Sequence, residues 1–295
     1  MVLKVGTKMS IKDDLGDRMK RYEEVWNSQK LISRLPVYAR IDGRHFSALT
    51  SKLGYPFRDI SHDKQSWLFS NIMREVSLDL MEEFRADIVE QHSDEISMGW
   101  RSLDKVPFDG KYFKIVSNLA SYAGMSFFKN LYKFLKMLHK FDDKEKSELQ
   151  YLLEQSPSFD CRIYQVPDLM ELINCFIWRQ NDCIRGTINQ YARMFFSHKQ
   201  LDGKSQEERI QMLKDIGHDI DDEEHRYWFR PLMYGTTFIL KKKMVPIPEE
   251  FKKFHPNETE MEKSYFDCQI YFKFADLEDK MGFFFPDVNS AQERN

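Results

Sequence analysis

Four cysteines in 295 residues are too few for a disulfide scaffold. Cys161, Cys175, Cys183 and Cys268 are spaced like neither a zinc knuckle nor a redox pair, so they read as free thiols in a reducing cytoplasm. No long uncharged apolar stretch occurs, which excludes a membrane-spanning helix. The opening residues Met1–Lys8 lack the apolar run of a secretory signal. Net charge is also small: 44 Lys and Arg against 47 Asp and Glu leave −3, which neither requires nor excludes a nucleic-acid partner. No Ser-His-Asp or Cys-His arrangement is legible, and that disfavours a protein nucleophile.

Apolar and aromatic residues are plentiful. They make up 42% of the chain and include 24 Phe, 13 Tyr and 5 Trp, enough to build a core and to exclude disorder as the main state. Leu15, Met19, Tyr22 and Trp26 recur at helical spacing and predict an opening amphipathic helix. Val37, Ala39 and Ile41 alternate with Tyr38, Arg40 and Asp42 as a strand with two different faces, stopped by Asp42-Gly43. A loop rich in turn formers (Gly54, Pro56, Asp59) leads to a helix along Leu68, Ile72, Val76, Leu80 and Phe84. Ile88 to Met98 reads as a hairpin with Ser93-Asp94-Glu95 as its turn. A helix along Ile115, Leu119, Tyr122 and Met125 and a strand through Phe159, Cys161 and Ile163 follow. The order is β-α-β-β-α-β, which predicts an α+β, ferredoxin-like antiparallel sheet with both helices on one face.

Beyond it, Leu169, Leu172, Ile173, Phe176 and Ile177 predict an apolar helix running through Tyr191. Ser205-Gln206-Glu207-Glu208 is a capping box, and Gly217 closes that helix. Met233–Leu240 reads as a strand ended by Lys241-Lys242-Lys243, and Pro246 and Pro248 mark a boundary. The division is therefore an N-terminal helix and catalytic domain over 1–165, a helical region with a final strand over 166–244, and an extension of unassigned role over 245–295. That extension holds an alternating strand from Phe266 to Phe274 and the run Phe283–Phe285. Phe159–Tyr164 nearly recurs at Phe266–Tyr271, without matching neighbours.

Two acids at strand ends form the sharpest constellation. Asp-Gly and Ser-Asp-Glu are each ordinary solvated turns when taken alone. A split sheet sets the first strand beside the hairpin, so Asp42 meets Asp94 and Glu95. Carboxylates without basic partners suit Mg²⁺, which takes one or two of them together with phosphate oxygens. Two such ions activate an attacking oxygen and stabilise a leaving one. Arg40, Arg44 and Lys114 have the charge to meet a triphosphate, or are plain surface cations. Trp178 reads as core, and Arg179 with Asp182 as an i,i+3 pair. Gly203-Lys204-Ser205 is no phosphate loop, because His198 stands where the first glycine belongs; Lys204 remains a candidate phosphate contact. The acidic run Asp219–Glu224 between His218 and His225 reads as a solvated loop.

Arg40-Ile41-Asp42-Gly43-Arg44-His45-Phe46, His92-Ser93-Asp94-Glu95-Ile96-Ser97 and Trp178-Arg179-Gln180-Asn181-Asp182 resemble the three signature blocks of the tRNA-histidine guanylyltransferase family. Weaker blocks lie in order at Asp14–Lys20, Lys114–Ser117, Phe159–Arg162 and Gly235–Thr237, so the resemblance spans about residues 10–243. It implies a polymerase-like palm and Mg²⁺-dependent nucleotide addition in the 3′–5′ direction onto a tRNA 5′ end. ATP would first activate the 5′-phosphate, and the 3′-hydroxyl of GTP or another triphosphate would then attack it. By resemblance, Asp42, the Gly43 carbonyl and Asp94 hold two Mg²⁺ ions, with Glu95 beside them. Arg40, Gly43, Arg44, His45, Phe46, Ser93 and Lys114 are expected to meet nucleotide, and Arg179, Asp182, Arg185 and Lys204 to meet RNA. A homotetramer is also implied. Two departures stand out. Cys183–Ile188 replaces the His and paired Asn of members specific for histidine tRNA, and resembles the bacterial and archaeal guanylyltransferase-like branch, although Gly186 stands where that branch has Asn. Tyr55 before Pro56 replaces a basic residue, with Arg58 as a stand-in. Rival readings are an idle palm that only binds RNA, and a palm enzyme that makes a small nucleotide product.

Overall fold

The computed structural model describes residues 11–46, 65–102, 106–136, 142–155, 157–254, 259–270 and 272–286. The predicted loop with Gly54, Tyr55, Pro56, Arg58 and Asp59 lies outside them. Six strands form one antiparallel sheet: β1 (Val37–Arg44), β2 (Ile88–His92), β3 (Glu95–Trp100), β4 (Ser158–Gln165), β5 (Thr236–Pro246) and β6 (Glu260–Ile270). Their order is β4-β1-β3-β2-β5-β6. The helices are α1 (Ile11–Asn27), α2 (Gln65–Phe84), α3 (Tyr112–Lys136), α4 (Asp143–Glu154), α5 (Leu169–Phe195), α6 (His198–Leu201), α7 (Gln206–Asp215), α8 (Glu223–Tyr234), α9 (Glu249–Lys252) and α10 (Lys280–Phe284). Among the described residues no helix is long and apolar enough to cross a membrane.

The first four strands with α2 and α3 take the predicted β-α-β-β-α-β order; α4, a charged helix before β4, was not foreseen. Side chains of a strand alternate between faces, and here both faces are used. Val37, Ala39 and Ile41 of β1 and Ile96, Met98 and Trp100 of β3 pack with Ile72, Val76 and Leu80 of α2 and Ile115, Leu119 and Phe127 of α3. The other face carries Tyr38, Ile88 and Ile239 against Leu172, Ile173 and Phe176 of α5. Gly99 lies beneath that helix. A Cβ there would fall 3.0 Å from the Phe176 ring and 2.9 Å from Ile88, so glycine lets α5 approach the sheet. A third cluster joins the far half of α5 to α6, α7 and α8 through Ile188, Tyr191, Leu213 and Phe229. Ser205 caps α7 with Glu208 reaching back, and Gly217 follows with φ +87°, as the sequence predicts. His218 shares a hydrogen bond with the Tyr191 hydroxyl, 3.1 Å, and stacks on Phe195.

Several predicted boundaries move. Met233 and Tyr234 stay in α8, and the strand begins at Thr236 and runs on to Pro246. The three lysines do not end it, because β6 pairs with it from Thr236↔Ile270 to Pro246↔Glu260 and gives each of them a partner. Lys241 meets Asp267 at 2.5 Å, Lys242 meets Glu262 at 2.7 Å, and Lys243 lies over the Tyr265 ring. This ladder crosses the boundary expected at Pro246 and Pro248. The strand expected over Phe266–Phe274 lies earlier, at Glu260–Ile270, while Phe274, Phe284 and Phe285 turn into the α5 core. The nearly repeated strings fall on opposite rims of the sheet, β4 and β6. Their settings differ: Phe159 is buried and Phe266 exposed. α1 forms as predicted, but its stripe of Leu15, Met19 and Tyr22 faces solvent.

Gln180 ties the second core to the C-terminal segment. Its buried amide donates to the carbonyls of Tyr234 (3.1 Å) and Phe272 (2.8 Å), and its oxygen accepts from the Phe274 amide (2.7 Å). Removing it leaves three backbone groups, two of them only partly buried, without these partners. We therefore predict that Gln180→Ala destabilises the protein by about 2–4 kcal/mol, read as a lower Tm. Proteolysis should then begin within residues 272–286; an unchanged Tm would contradict this role.

Candidate active site

The end of β1 lies against the tip of the β2–β3 hairpin. Asp42 is the register partner of Glu95, and the Gly43 amide donates to the Asp94 carbonyl at 3.0 Å. The turn is tighter than predicted: only Ser93 and Asp94 form it, Glu95 already pairs with His92, and Ser93 bends the chain with φ +48°. Gly43 is required by contact. A Cβ at that position would sit 2.5 Å from the Phe46 ring and 2.9 Å from the Asp94 Cβ. Phe46 is itself buried, its ring centroid 5.0 Å from Phe159 and 5.6 Å from Phe127. A ring sunk in the core has no free face to stack on a nucleotide; it anchors the turn from below. Arg44 and His45 are exposed at the strand's end, His45 with φ +64°.

Two carboxylates now share one site. Burial pushes Asp94 up to about 6, with Asp42 and Glu95 adding to the shift while hydrogen bonds from its own backbone and from Ser93 oppose it. Burial likewise raises Asp42, helped by Glu95 and Asp160 and opposed by Arg40 and Arg162. Such carboxylates are deprotonated at a cost that a cation relieves. Among the described residues no three His, Cys, Asp or Glu side chains gather as a metal cage. Two aspartates and the Gly43 carbonyl still fit Mg²⁺, which keeps water and phosphate oxygens in its remaining positions.

Glu95 is placed differently from the two aspartates. Arg179 of α5 grips it as a fork, Nε to Oε1 at 2.6 Å and Nη2 to Oε2 at 2.8 Å. Arg179 also meets Asp182 at 2.6 Å, and Asp182 in turn pairs with Arg185. Arg40 lies 4.0 Å from Glu95. The chain Glu95–Arg179–Asp182–Arg185 thus fastens α5 across the hairpin. A cavity of about 300 Å³ opens between them, lined by Ser93, Asp94, Arg179, Asp182, Gly186 and Thr187 among others. No atom lies within 4 Å of where a Gly186 Cβ would stand, so that wall is open.

Other expected contacts are not brought to this cavity. Lys114 sits over the Phe108 ring and lines a separate hollow beside Glu23 and Glu24 of α1. Lys204 pairs with Glu208 in the α7 cap, 2.8 Å. Trp178 is 50% exposed, which corrects the core reading. Sequence reasoning missed Asp160 and Arg162, which β4 sets directly opposite Asp42 and Arg40. The signal was present, since inward Phe159, Cys161 and Ile163 leave Asp160 and Arg162 on the face of Asp42. It also missed a buried pair on β2, Glu90 and His92, joined at 2.8 Å beneath the turn. Burial disfavours the charged imidazole, but Cys183 and Glu90 beside it outweigh this and hold His92 well above its usual range. A Cys-His contact thus exists although the sequence shows none; the Cys183 thiol points to the Leu232 carbonyl at 3.6 Å.

A family model described as tRNAHis guanylyltransferase matches residues 16–167, the stretch that carries Asp42, Gly43, Asp94 and Glu95. Among solved structures, a bacterial tRNA(His) guanylyltransferase-like protein in complex with ATP is 29% identical, with a TM-score of 0.57 over 76% of this chain and 88% of its own. A bacterial protein of the same description in complex with GTP is 25% identical, with a TM-score of 0.53 over 87% of this chain and 91% of its own. The tRNA(His) guanylyltransferase of Saccharomyces cerevisiae is 16% identical and shares the fold, with a TM-score of 0.51 over 71% of this chain and 87% of its own. No match was found among curated proteins.

Because the folded pKa of Asp94 is raised, its stabilising contribution is complete below the unfolded value near 3.9 and is lost as pH rises through about 6. Asp94→Asn removes that penalty. In metal-free protein at pH 8 the variant should be the more stable by about 1–3 kcal/mol, with the advantage vanishing near pH 4. Added Mg²⁺ should raise the Tm of the wild type and not of the variant. Equal stabilities at both pH values would show that burial at Asp94 costs nothing.

Proposed function

As the chain belongs to the tRNAHis guanylyltransferase family and is therefore a nucleotidyltransferase, we propose that it extends a tRNA 5′ end in the 3′–5′ direction with Mg²⁺. The observation that carries this reading is the meeting of Asp42 and Asp94 at the Gly43–Asp94 hydrogen bond. Two carboxylates at adjacent strand ends on a β4-β1-β3-β2 sheet are also what support a polymerase-like palm. The ATP and GTP complexes of the bacterial relatives support the two triphosphates as substrates here.

The reaction has two transfers. The tRNA 5′-phosphate attacks the α-phosphorus of ATP and pyrophosphate leaves. The 3′-hydroxyl of GTP, or of another triphosphate, then attacks the activated 5′-phosphate, loses its proton, and AMP leaves. Asp42, the Gly43 carbonyl and Asp94 would hold two Mg²⁺ ions, which when bound neutralise phosphate charge and favour the ionised hydroxyl. The chain's own groups position the reactants. Arg40, and Arg162 opposite it on β4, present guanidinium groups to phosphate on the same face as Asp42. Arg179 holds Glu95, so that the hairpin tip keeps its place as charge moves. The open wall at Gly186 gives the cavity room for a nucleotide without a fixed side chain to select it, which supports addition of more than guanosine. The exposed Leu15, Met19 and Tyr22 stripe of α1 supports association of copies of the chain; a monomer by light scattering would remove that element.

Asp42→Ala and Asp94→Ala should each lower transfer of an α-labelled nucleotide to tRNA by more than about 100-fold. Circular dichroism should be unchanged. Full activity in either variant would refute the assignment. Gly43→Ala should act in the same direction and also lower Tm, since its Cβ has no space.

A further inference from the structure

Trp178 is the residue on this face for which neither the fold nor the carboxylate pair has yet supplied a purpose. Indole is the largest apolar side chain and is normally turned inward, its N–H partnered. Here half of it meets water on α5, one residue before Arg179. The ring is held in place by cations: the Arg179 guanidinium lies 4.9 Å from its centroid and that of Arg40 lies 6.0 Å away. The same two arginines converge on Glu95, the strand partner of Asp42. The indole therefore stands beside the carboxylates at a fixed position, bordered by groups that attract phosphate.

The surface continues in kind. Tyr164 on β4 is 37% exposed, and its hydroxyl donates to Cys175, one helical turn before Trp178. Arg162 stands two residues before Tyr164 on the same face. Aromatic faces interleaved with guanidinium groups bind single-stranded nucleic acid, because every base has a face to stack and every linkage a charge to pair. Trp178 is not among the walls of the 300 Å³ cavity beside Asp94. That cavity between α5 and the hairpin suits a mononucleotide, whereas a platform on the outer surface accepts a polymer that continues into solvent.

We propose that Trp178 is a stacking platform for the nucleobase at the 5′ end of the RNA, setting its phosphate against the Asp42–Asp94 pair. The proposal rests on the nucleotidyltransferase reading above and adds the subsite that receives the RNA. Trp178 acts here by binding substrate and takes no part in proton or phosphoryl transfer.

The test uses the full chain, its Trp178→Ala and Trp178→Phe variants, and 5′-monophosphorylated tRNA whose first nucleotide either carries its base or is abasic. Binding is read by fluorescence anisotropy without nucleotide, and KM for RNA and for the triphosphate by label transfer. Trp178→Ala should weaken binding of the intact RNA about 10-fold, the usual scale for one base–aromatic stack. Trp178→Phe should keep most of the affinity. Abasic RNA should bind the wild type as weakly as intact RNA binds Trp178→Ala, with no further loss when both changes combine. KM for the triphosphate should stay constant. An equal loss on intact and abasic RNA, or a rise in triphosphate KM alone, would overturn the proposal, the latter by giving the platform to the incoming nucleotide. The abasic arm needs no variant, so a poorly folded Trp178→Ala leaves the test decisive. If the wild type transfers nucleotide to no RNA, the functional reading fails, while the binding cycle still decides the stacking.

Discussion

One backbone hydrogen bond, from the Gly43 amide to the Asp94 carbonyl, holds two like charges together, and the rest of the site answers to that constraint. Burial raises the pKa of both aspartates, with Glu95 and Asp160 adding to the shift of Asp42 and with Asp42 and Glu95 adding to that of Asp94. Nothing in the sheet requires this for stability. The hairpin tolerates it because Gly43 has no Cβ to clash, Phe46 is sunk into the core beneath, and Ser93 accepts a left-handed turn. A left-handed residue and buried carboxylates are thus gathered at one point of the sheet.

The two faces of the sheet divide the work. α2 and α3 cover one face with an almost wholly apolar core, and this fixes the strands rigidly. On the other face the first half of α5 packs its apolar side over Tyr38 and Ile88, and beyond Phe176 it sets Arg179 against Glu95 where it passes the hairpin. Arg179 grips Glu95 at that crossing, and its neighbour Gln180 pins the C-terminal segment from the opposite side. Adjacent residues of one helix thus join the site to the fold, one by charge and one by buried amide hydrogen bonds. The described residues of the C-terminal extension, unassigned from sequence, form the sheet's far rim and part of the α5 core.

Much of this was legible because strands and helices write their periods directly into the chain. The alternation of Val37, Ala39 and Ile41, the four-residue spacing along α2, and the Ser205–Glu208 box each report local physics that needs no partner. Strand ends were less legible: Lys241–Lys243 looks like a stop, and becomes a strand only because Asp267, Glu262 and Tyr265 lie opposite. The surroundings of a side chain were least legible. Phe46 and Trp178 are both aromatic residues within signature blocks, yet one is buried and the other half in water. α1 shows the same limit, since its apolar stripe is correctly periodic and lies open.

By itself the sequence determined which residues carry charge at strand ends and in what order the elements come. These follow from residue type and short-range period, which any segment keeps wherever it is placed. Only the tertiary structure decided which partners stand opposite: Asp160 and Arg162 beside β1, Arg179 across Glu95, Cys183 against His92, and the C-terminal strand on β5. Those pairings join residues far apart in the chain, and their energies depend on register and burial, which exist only once the sheet has closed.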